Sequence, residues 1–131
     1  MFAFRISAAS TLAVAALAST QSSAAAPAGA AAAQTILVYS YGYNPNPIML
    51  SAGRPVTLNF VNRAGKSHDF VAERFFHASR IISGSVGEGE VDLAAGQSKS
   101  ITLVPAAGRY RAHCSHPFHK MLGMSADIVV R

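Results

Sequence analysis

The chain has 131 residues, of which half are hydrophobic and 13% are charged, with a formal net charge of +5, one cysteine and no tryptophan. This is the length of one domain. A single cysteine excludes an intramolecular disulfide, a zinc ribbon built from cysteine pairs and a cluster held by four thiolates. Any chemistry at sulfur therefore combines one thiolate with partners of another type.

The first 33 residues are rich in alanine and differ in composition from the rest. Arg5 is their one charge, an apolar stretch covers residues 6–18, and small residues follow. This order is typical of a secretory signal. We predict a signal peptide and alanine-rich leader over residues 1–33, one domain over residues 34–131, and a periplasmic or secreted protein. The alternative is an uncleaved anchor, but the stretch is short for the roughly 20 apolar residues that a membrane span needs.

From residue 34 onward, apolar and polar residues alternate, which predicts β-strands with one buried face. Four runs supply the candidate core positions: Ile36 and Val38; Val56, Leu58 and Phe60; Ile101 and Leu103; Ile128 and Val130. Glycine and proline clusters separate these runs at short intervals. This spacing indicates short antiparallel strands in a β-sandwich.

Two segments depart from the alternation. Residues 73–82 could form a helix, because Phe76, Ser79 and Ile82 would then share one side. Residues 84–92 are acidic and rich in glycine, which predicts a mobile surface loop between two halves of the domain.

The most informative segment runs from Tyr110 to Met124 and places a thiol, several imidazoles and a thioether close together. Strand alternation puts Cys114 on the inward face and His113 on the outward face. A turn at Pro117 would return the chain over Cys114. Such a loop can present a sulfur and an imidazole to one metal ion.

Thiolate and thioether donors combined with imidazole suit copper best, and two histidines, one cysteine and a weak axial methionine form the trigonal blue-copper site. One imidazole must come from outside the loop. His68 follows a predicted strand through a turn and is a better candidate than His77. Within the loop, both His116 and His119 are candidates.

These residues resemble the cupredoxins, the type 1 blue copper proteins of the plastocyanin, azurin and rusticyanin kind. The segment Asn62-x-Ala64-Gly65-x-x-His68-Asp69 is similar to the first-ligand region of that family. The segment Cys114-x4-His119-x4-Met124 is similar to its ligand loop. The resemblance covers essentially all of residues 34–131.

The resemblance implies an all-β, antiparallel Greek-key β-sandwich that binds one copper ion. The implied ligands are His68, Cys114 and His119, with Met124 axial, and backbone groups around Asp69 and Ser115 are expected to donate hydrogen bonds to the sulfur. The implied function is one-electron transport, Cu(I)/Cu(II), rather than enzymatic catalysis. We expect a monomer with redox proteins as partners, no nucleic acid, and no membrane span after signal cleavage.

Three positions depart from the family pattern. Phe118 replaces the glycine that is common just before the second histidine in loops of this length. Asp69 stands where asparagine is usual, and its carboxylate is expected to lower the reduction potential. His116 occupies a position that is normally apolar, so it competes with His119, although the spacing to Met124 favours His119.

Other interpretations of the same residues remain open. A periplasmic copper-handling protein for delivery or resistance would also use histidine and methionine, and a zinc site could use Cys114 with two or three histidines. Met49 and Met121 are expected in the core. Arg109, Arg111 and Lys120 could steer an acidic redox partner.

Overall fold

The computed structural model describes residues 31–117 and 122–131. Over these residues the chain forms ten strands and one short helix. Their bounds are β1 Ala32–Tyr39, β2 Gly42–Asn44, β3 Ile48–Leu50, β4 Val56–Asn62, β5 His68–Val71, α1 Glu73–Ala78, β6 Arg80–Ser83, β7 Glu90–Leu93, β8 Ser98–Val104, β9 Gly108–His113 and β10 Ser125–Val130.

The strands form two five-stranded sheets, in the orders β2-β1-β4-β8-β6 and β3-β10-β9-β5-β7. The predicted β-sandwich is confirmed. Most neighbours are antiparallel, but β1 pairs with β4 and β3 pairs with β10 in parallel. The chain leaves the first sheet to form β3 in the second sheet before it returns as β4. Such a crossover is what parallel pairing requires.

The core lies between the two sheets and contains all nine residues that alternation predicted, each at most 7% exposed. Phe70 lies at its centre, with its ring centroid 4.9 Å from that of Phe60 and 5.2 Å from that of Tyr43. Burying one such ring contributes about 1.5–3 kcal/mol. The expectation for Met49 is wrong: it is 40% exposed, because it is the outward residue of β3.

The helical interpretation of residues 73–82 is correct only for their first part. The helix α1 ends at Ala78, and the next residues form β6 at the edge of a sheet. Ser79 is extended, and both its backbone N–H and its hydroxyl donate to the carbonyl oxygen of Phe75, closing the helix. Ile82 is exposed rather than aligned with Phe76 in the core.

The predicted loop over residues 84–92 is shorter in the structure, because β7 begins at Glu90. Gly89 has φ +83°. A Cβ at Gly89 would lie 2.6 Å from the Cα of Glu73, so this turn requires glycine. The turn brings β7 alongside β5, where Val91 pairs with Phe70.

The predicted signal peptide lies outside the described residues except for its last three positions. Ala32 and Ala33 begin β1 and pair with Val56 and Thr57. In the part of the chain that the structure describes, no helix has both the length and the apolar character that a membrane crossing needs. The leader and the domain boundary at residue 34 stay predictions.

Candidate metal centre

His68 begins β5 and is 2% exposed. The buried side chain of Asn62 organises the turn that precedes it. The Nδ2 of Asn62 donates to the carbonyl of Lys66 at 2.8 Å, and its Oδ1 accepts from the backbone N–H of Ala64 at 2.9 Å. Nδ2 also reaches the carbonyl of Ala94 at 3.0 Å, which ties the turn to the chain after β7. These bonds fix where the chain enters β5 and thus where His68 lies.

Cys114 immediately follows β9 and is fully buried. Ala112 is buried as well, whereas Arg109 and Arg111 are exposed, in agreement with the predicted alternation. The backbone N–H of Cys114 donates to the carbonyl of Met124 at 3.1 Å. This bond extends the β9–β10 ladder and holds Cys114 and Met124 side by side.

The structure brings His68 and Cys114 together, with His68 Nδ1 3.8 Å from Cys114 Sγ. This separation can be compared with known bond lengths at tetrahedral zinc, about 2.3 Å to sulfur and 2.0 Å to nitrogen. At an angle of roughly 110–130°, two such ligand atoms lie about 3.5–3.9 Å apart. The two side chains therefore fit one metal ion without rearrangement.

The sulfur of Cys114 is shielded from water. Burial raises the pKa of the Cys114 thiol, and this effect exceeds the opposing effect of backbone hydrogen bonds from Asp69 and His116. Both residues belong to the region around Asp69 and Ser115 where backbone donors to the sulfur were expected. A nearby metal ion would supply the charge that stabilises the thiolate here.

The carboxylate of Asp69 links the two segments that carry His68 and Cys114. It is 2% exposed, and its Oδ1 accepts from the backbone N–H of Ser115 at 2.7 Å. The Ser115 hydroxyl donates to Oδ2. Since both oxygens accept, the contacts suit an ionised carboxylate. Asp69 thus connects β5 to the loop after β9.

Tyr43 is hydrogen-bonded to the backbone of Asp69. Its hydroxyl donates to the backbone carbonyl of Asp69 at 2.5 Å. Burial raises the pKa of Tyr43, with the neighbouring Cys114 and Asp69 adding to the shift. The hydroxyl therefore keeps its proton and remains a donor. Sequence reasoning did not identify Tyr43. It named Asn62 only as part of the segment similar to the first-ligand region, without its role in the turn.

His116 lies beside this cluster, with its Nε2 3.9 Å from Asp69 Oδ2. Asp69, Cys114 and His116 offer ligand atoms that all lie within 4.8 Å of one another. His116 is half-buried. His119 falls within residues 118–121, outside the described residues, so its ligand role stays a prediction.

Met124 is fully buried and immediately precedes the last strand. Its backbone lies against Cys114, and its axial role remains a prediction. His77 is exposed on α1 and His113 is half-buried on the outward face of β9. A thiolate and an imidazole within bonding distance of one ion, with a buried thioether residue adjacent, form a donor set that suits copper.

The sequence model of the cupredoxin-like domain matches residues 9–130. No curated protein matches the chain significantly. The fold is similar to that of dithionite-reduced auracyanin from Roseiflexus castenholzii, with a TM-score of 0.58 and 22% identity over 79% of this chain and 99% of that one. It is also similar to auracyanin A, a "blue" copper protein from Chloroflexus aurantiacus (TM-score 0.51, 21% identity, 76% and 99% covered).

A multicopper oxidase, McoA from Aquifex aeolicus, contains the same fold, with a TM-score of 0.61 and 18% identity over 79% of this chain and 30% of that one. At these identities the solved structures show the fold alone. The family match covers most of the chain. The chain belongs to the cupredoxin-like domain family.

Proposed function

We propose that the protein binds one copper ion and carries single electrons between redox proteins. The ligands we assign are His68, Cys114, His119 and, as a weak axial ligand, Met124. The observation that carries the proposal is the buried contact of 3.8 Å between His68 Nδ1 and Cys114 Sγ. The auracyanins of similar fold support it, because one of them is described as a blue copper protein.

The surroundings of the two buried ligands favour electron transfer. Copper, when bound, supplies the Cu(I)/Cu(II) couple. Asn62 fixes the turn before His68, and Asp69 ties that strand to the residue after Cys114. Two ligands held in this way change position little when the charge at the site changes. The protein thereby limits the reorganisation that accompanies each electron transfer.

We propose a carrier rather than an enzyme. Four protein ligands would fill the coordination positions of the ion and leave none open to a substrate. The order of charge, apolar stretch and small residues in positions 1–33 supports export of the carrier to the periplasm or beyond.

A second candidate, copper handling without redox cycling, is favoured by the group formed by Asp69, Cys114 and His116. His116 is partly exposed and could pass an ion to or from the buried sulfur. A protein of this kind would bind Cu(I) tightly and exchange it readily. A carrier would instead form a stable coloured Cu(II) state.

The visible absorption spectrum on adding Cu(II) tests the proposal. We expect an intense thiolate-to-copper band in the wild-type protein and none in Cys114→Ser. The matched control is His113→Ala, which removes the neighbouring imidazole on the outward face and should leave the band intact. Copper binding without the band, or a band that persists in Cys114→Ser, contradicts the proposal and gives precedence to copper handling.

Two further variants show which histidine of the loop binds the copper ion. If His119 is the ligand, His119→Ala changes the band strongly while His116→Ala changes it slightly. The opposite result transfers the ligand role to His116.

A further inference from the structure

A groove with a volume of about 420 Å³ lies between α1 and β9, and Cys114 is not among the residues that line it. Its lining includes three arginines, one histidine and one glutamate around a less polar floor: Arg74, Arg109, Arg111, His113, Glu73, Val71 and Tyr110. Cations therefore outnumber carboxylates in the lining.

Strand geometry gathers three of these groups. Arg109, Arg111 and His113 occupy alternate positions of β9, so they project from the same face at intervals of about 7 Å. The inward residues between them pack in the core or against it. The burial pattern that directs Cys114 inward thus also directs two arginines and a histidine outward.

The helix α1 contributes the third arginine. Phe75 is fully buried, and its ring centroid lies 5.5 Å from that of Tyr110 on β9. This contact holds α1 against β9 and places Arg74, the residue before Phe75, at the groove.

The guanidinium groups are accessible to an external carboxylate. Arg111 Nη1 lies 3.6 Å from Asp127 Oδ1, but the two side chains are 71% and 62% exposed. Such a pair contributes at most about 1 kcal/mol. Within residues 31–117 and 122–131, Arg74 and Arg109 have no carboxylate within ion-pairing distance. Arginine binds carboxylates through two parallel hydrogen bonds, which suits glutamate and aspartate side chains.

The groove also lies close to the proposed copper ligand along the chain. His113 lines it and directly precedes Cys114, so their Cα atoms are about 3.8 Å apart. A partner that contacts His113 would therefore lie next to the residue that carries the sulfur.

We propose that this groove docks an acidic segment of the protein that exchanges electrons with the Cys114 site. The inference rests on the proposed function, and it assigns the partner's chemistry: carboxylate side chains spaced to meet Arg74, Arg109 and Arg111. One electron passes between the docked partner and the copper centre, in either direction, and no atom or proton needs to move with it.

The binding arm of the test uses hexaglutamate peptide and isotope-labelled protein at an ionic strength of about 20 mM, where screening is weak. We expect amide chemical-shift changes concentrated at Arg74 and along β9. Arg74→Glu/Arg109→Glu should weaken binding at least tenfold. The control Arg54→Glu/Lys99→Glu makes the same charge change at residues outside the β9 sheet and should stay within threefold of wild type.

Three results of this arm overturn the proposal. They are shifts spread evenly over the surface, an equal loss in the control variant, and tighter binding of hexametaphosphate than of hexaglutamate. The last would identify a phosphate site instead of an acidic protein surface.

The kinetic arm follows oxidation of the Cu(I) protein by the anion hexacyanoferrate(III) and by the cation tris(1,10-phenanthroline)cobalt(III). Arg74→Glu/Arg109→Glu should slow the reaction with the anion and accelerate the reaction with the cation, each at least fivefold more than the control does. Equal effects of the two variants contradict the docking role. Peptide binding does not require copper, so failure of the copper proposal and failure of the groove are distinguishable.

Discussion

The two faces of β9 carry opposite environments. Inward, Ala112 and the following Cys114 are fully buried between the sheets. Outward, Arg109 and Arg111 are exposed to water and border a groove. The inward face can perturb a thiol and hold a metal because water is excluded, whereas the outward face can meet a charged partner because water is present. The strand β9 thereby separates the proposed metal site from the surface proposed to bind a redox partner.

The largest effect on the free energy of unfolding is expected from a substitution in the core between the two sheets. Phe70→Ala removes a fully buried ring next to Asp69 and should lower the free energy of unfolding by about 3–5 kcal/mol. Chemical denaturation measures the change. The control, Ile82→Ala on the exposed edge strand β6, should cost about 1 kcal/mol or less. Similar losses in both variants would contradict the central place given to Phe70.

The next largest effect on stability is expected at Asp69, which connects the segments that carry His68 and Cys114. Asp69→Ala leaves the backbone N–H of Ser115 without its acceptor and should cost about 1–3 kcal/mol of unfolding free energy. Asp69→Asn keeps an acceptor and should cost less. An equal cost for the two variants would show that the Asp69–Ser115 hydrogen bonds contribute nothing.

Asp69→Asn also tests how the charge of this carboxylate affects the reduction potential of the metal site. Asp69→Asn removes a negative charge whose oxygen lies within 4.8 Å of Cys114 Sγ. At an effective dielectric constant of about 20, this interaction amounts to roughly 3 kcal/mol. Voltammetry should therefore show a potential raised by on the order of 100 mV. An unchanged or lowered potential contradicts the expected role of the carboxylate.

A pH dependence follows from the buried thiol. Because the pKa of Cys114 is raised in the folded chain, the unfolded chain loses this proton first as pH rises. The stabilising contribution is complete below the unfolded pKa of about 8.5 and is lost as pH rises through the folded pKa. Metal-free protein should lose up to about 1.4 kcal/mol per pH unit above pH 8.5 relative to Cys114→Ser. Parallel stability curves for the two proteins would contradict this.

The smallest effect on the free energy of unfolding is expected from a substitution on the outward face of β9. Arg111→Ala breaks an exposed ion pair with Asp127 and should change the free energy of unfolding by less than about 1 kcal/mol. Thermal unfolding of the variant beside wild type measures this. A loss as large as that of Asp69→Ala would mean that the outward charges stabilise the fold, and the division between the two faces would fail.

The sequence allowed much of this architecture to be predicted, because alternation reports directly which residues are buried. Ile36 and Phe60 were placed in the core in this way, and the pairing of His68 with Cys114 followed from motif order. Residues 73–82 were harder, since short apolar runs fit a helix and a strand equally well. Only the packing of Phe75 and the extended Ser79 decide between them.

Contacts between distant parts of the chain were beyond sequence reasoning. The hydrogen bond from Ser115 to Asp69 joins residues 46 positions apart, and the sequence around either residue does not predict it. The position of Tyr43 beneath Asp69 is similar, because it depends on how β2 packs against the opposite sheet. The groove beside β9 required α1 to be located first, although alternation had already placed Arg109 and Arg111 outward.

Copper K-edge X-ray absorption on both oxidation states tests the central claim most directly. We expect one sulfur at roughly 2.3 Å or less and two nitrogens at about 2.0 Å, distances close to those known for zinc. These distances should change little on reduction, and the short sulfur contribution should disappear in Cys114→Ser. A first shell of nitrogen and oxygen alone, or a shell that rearranges on reduction, would contradict a thiolate–copper electron carrier.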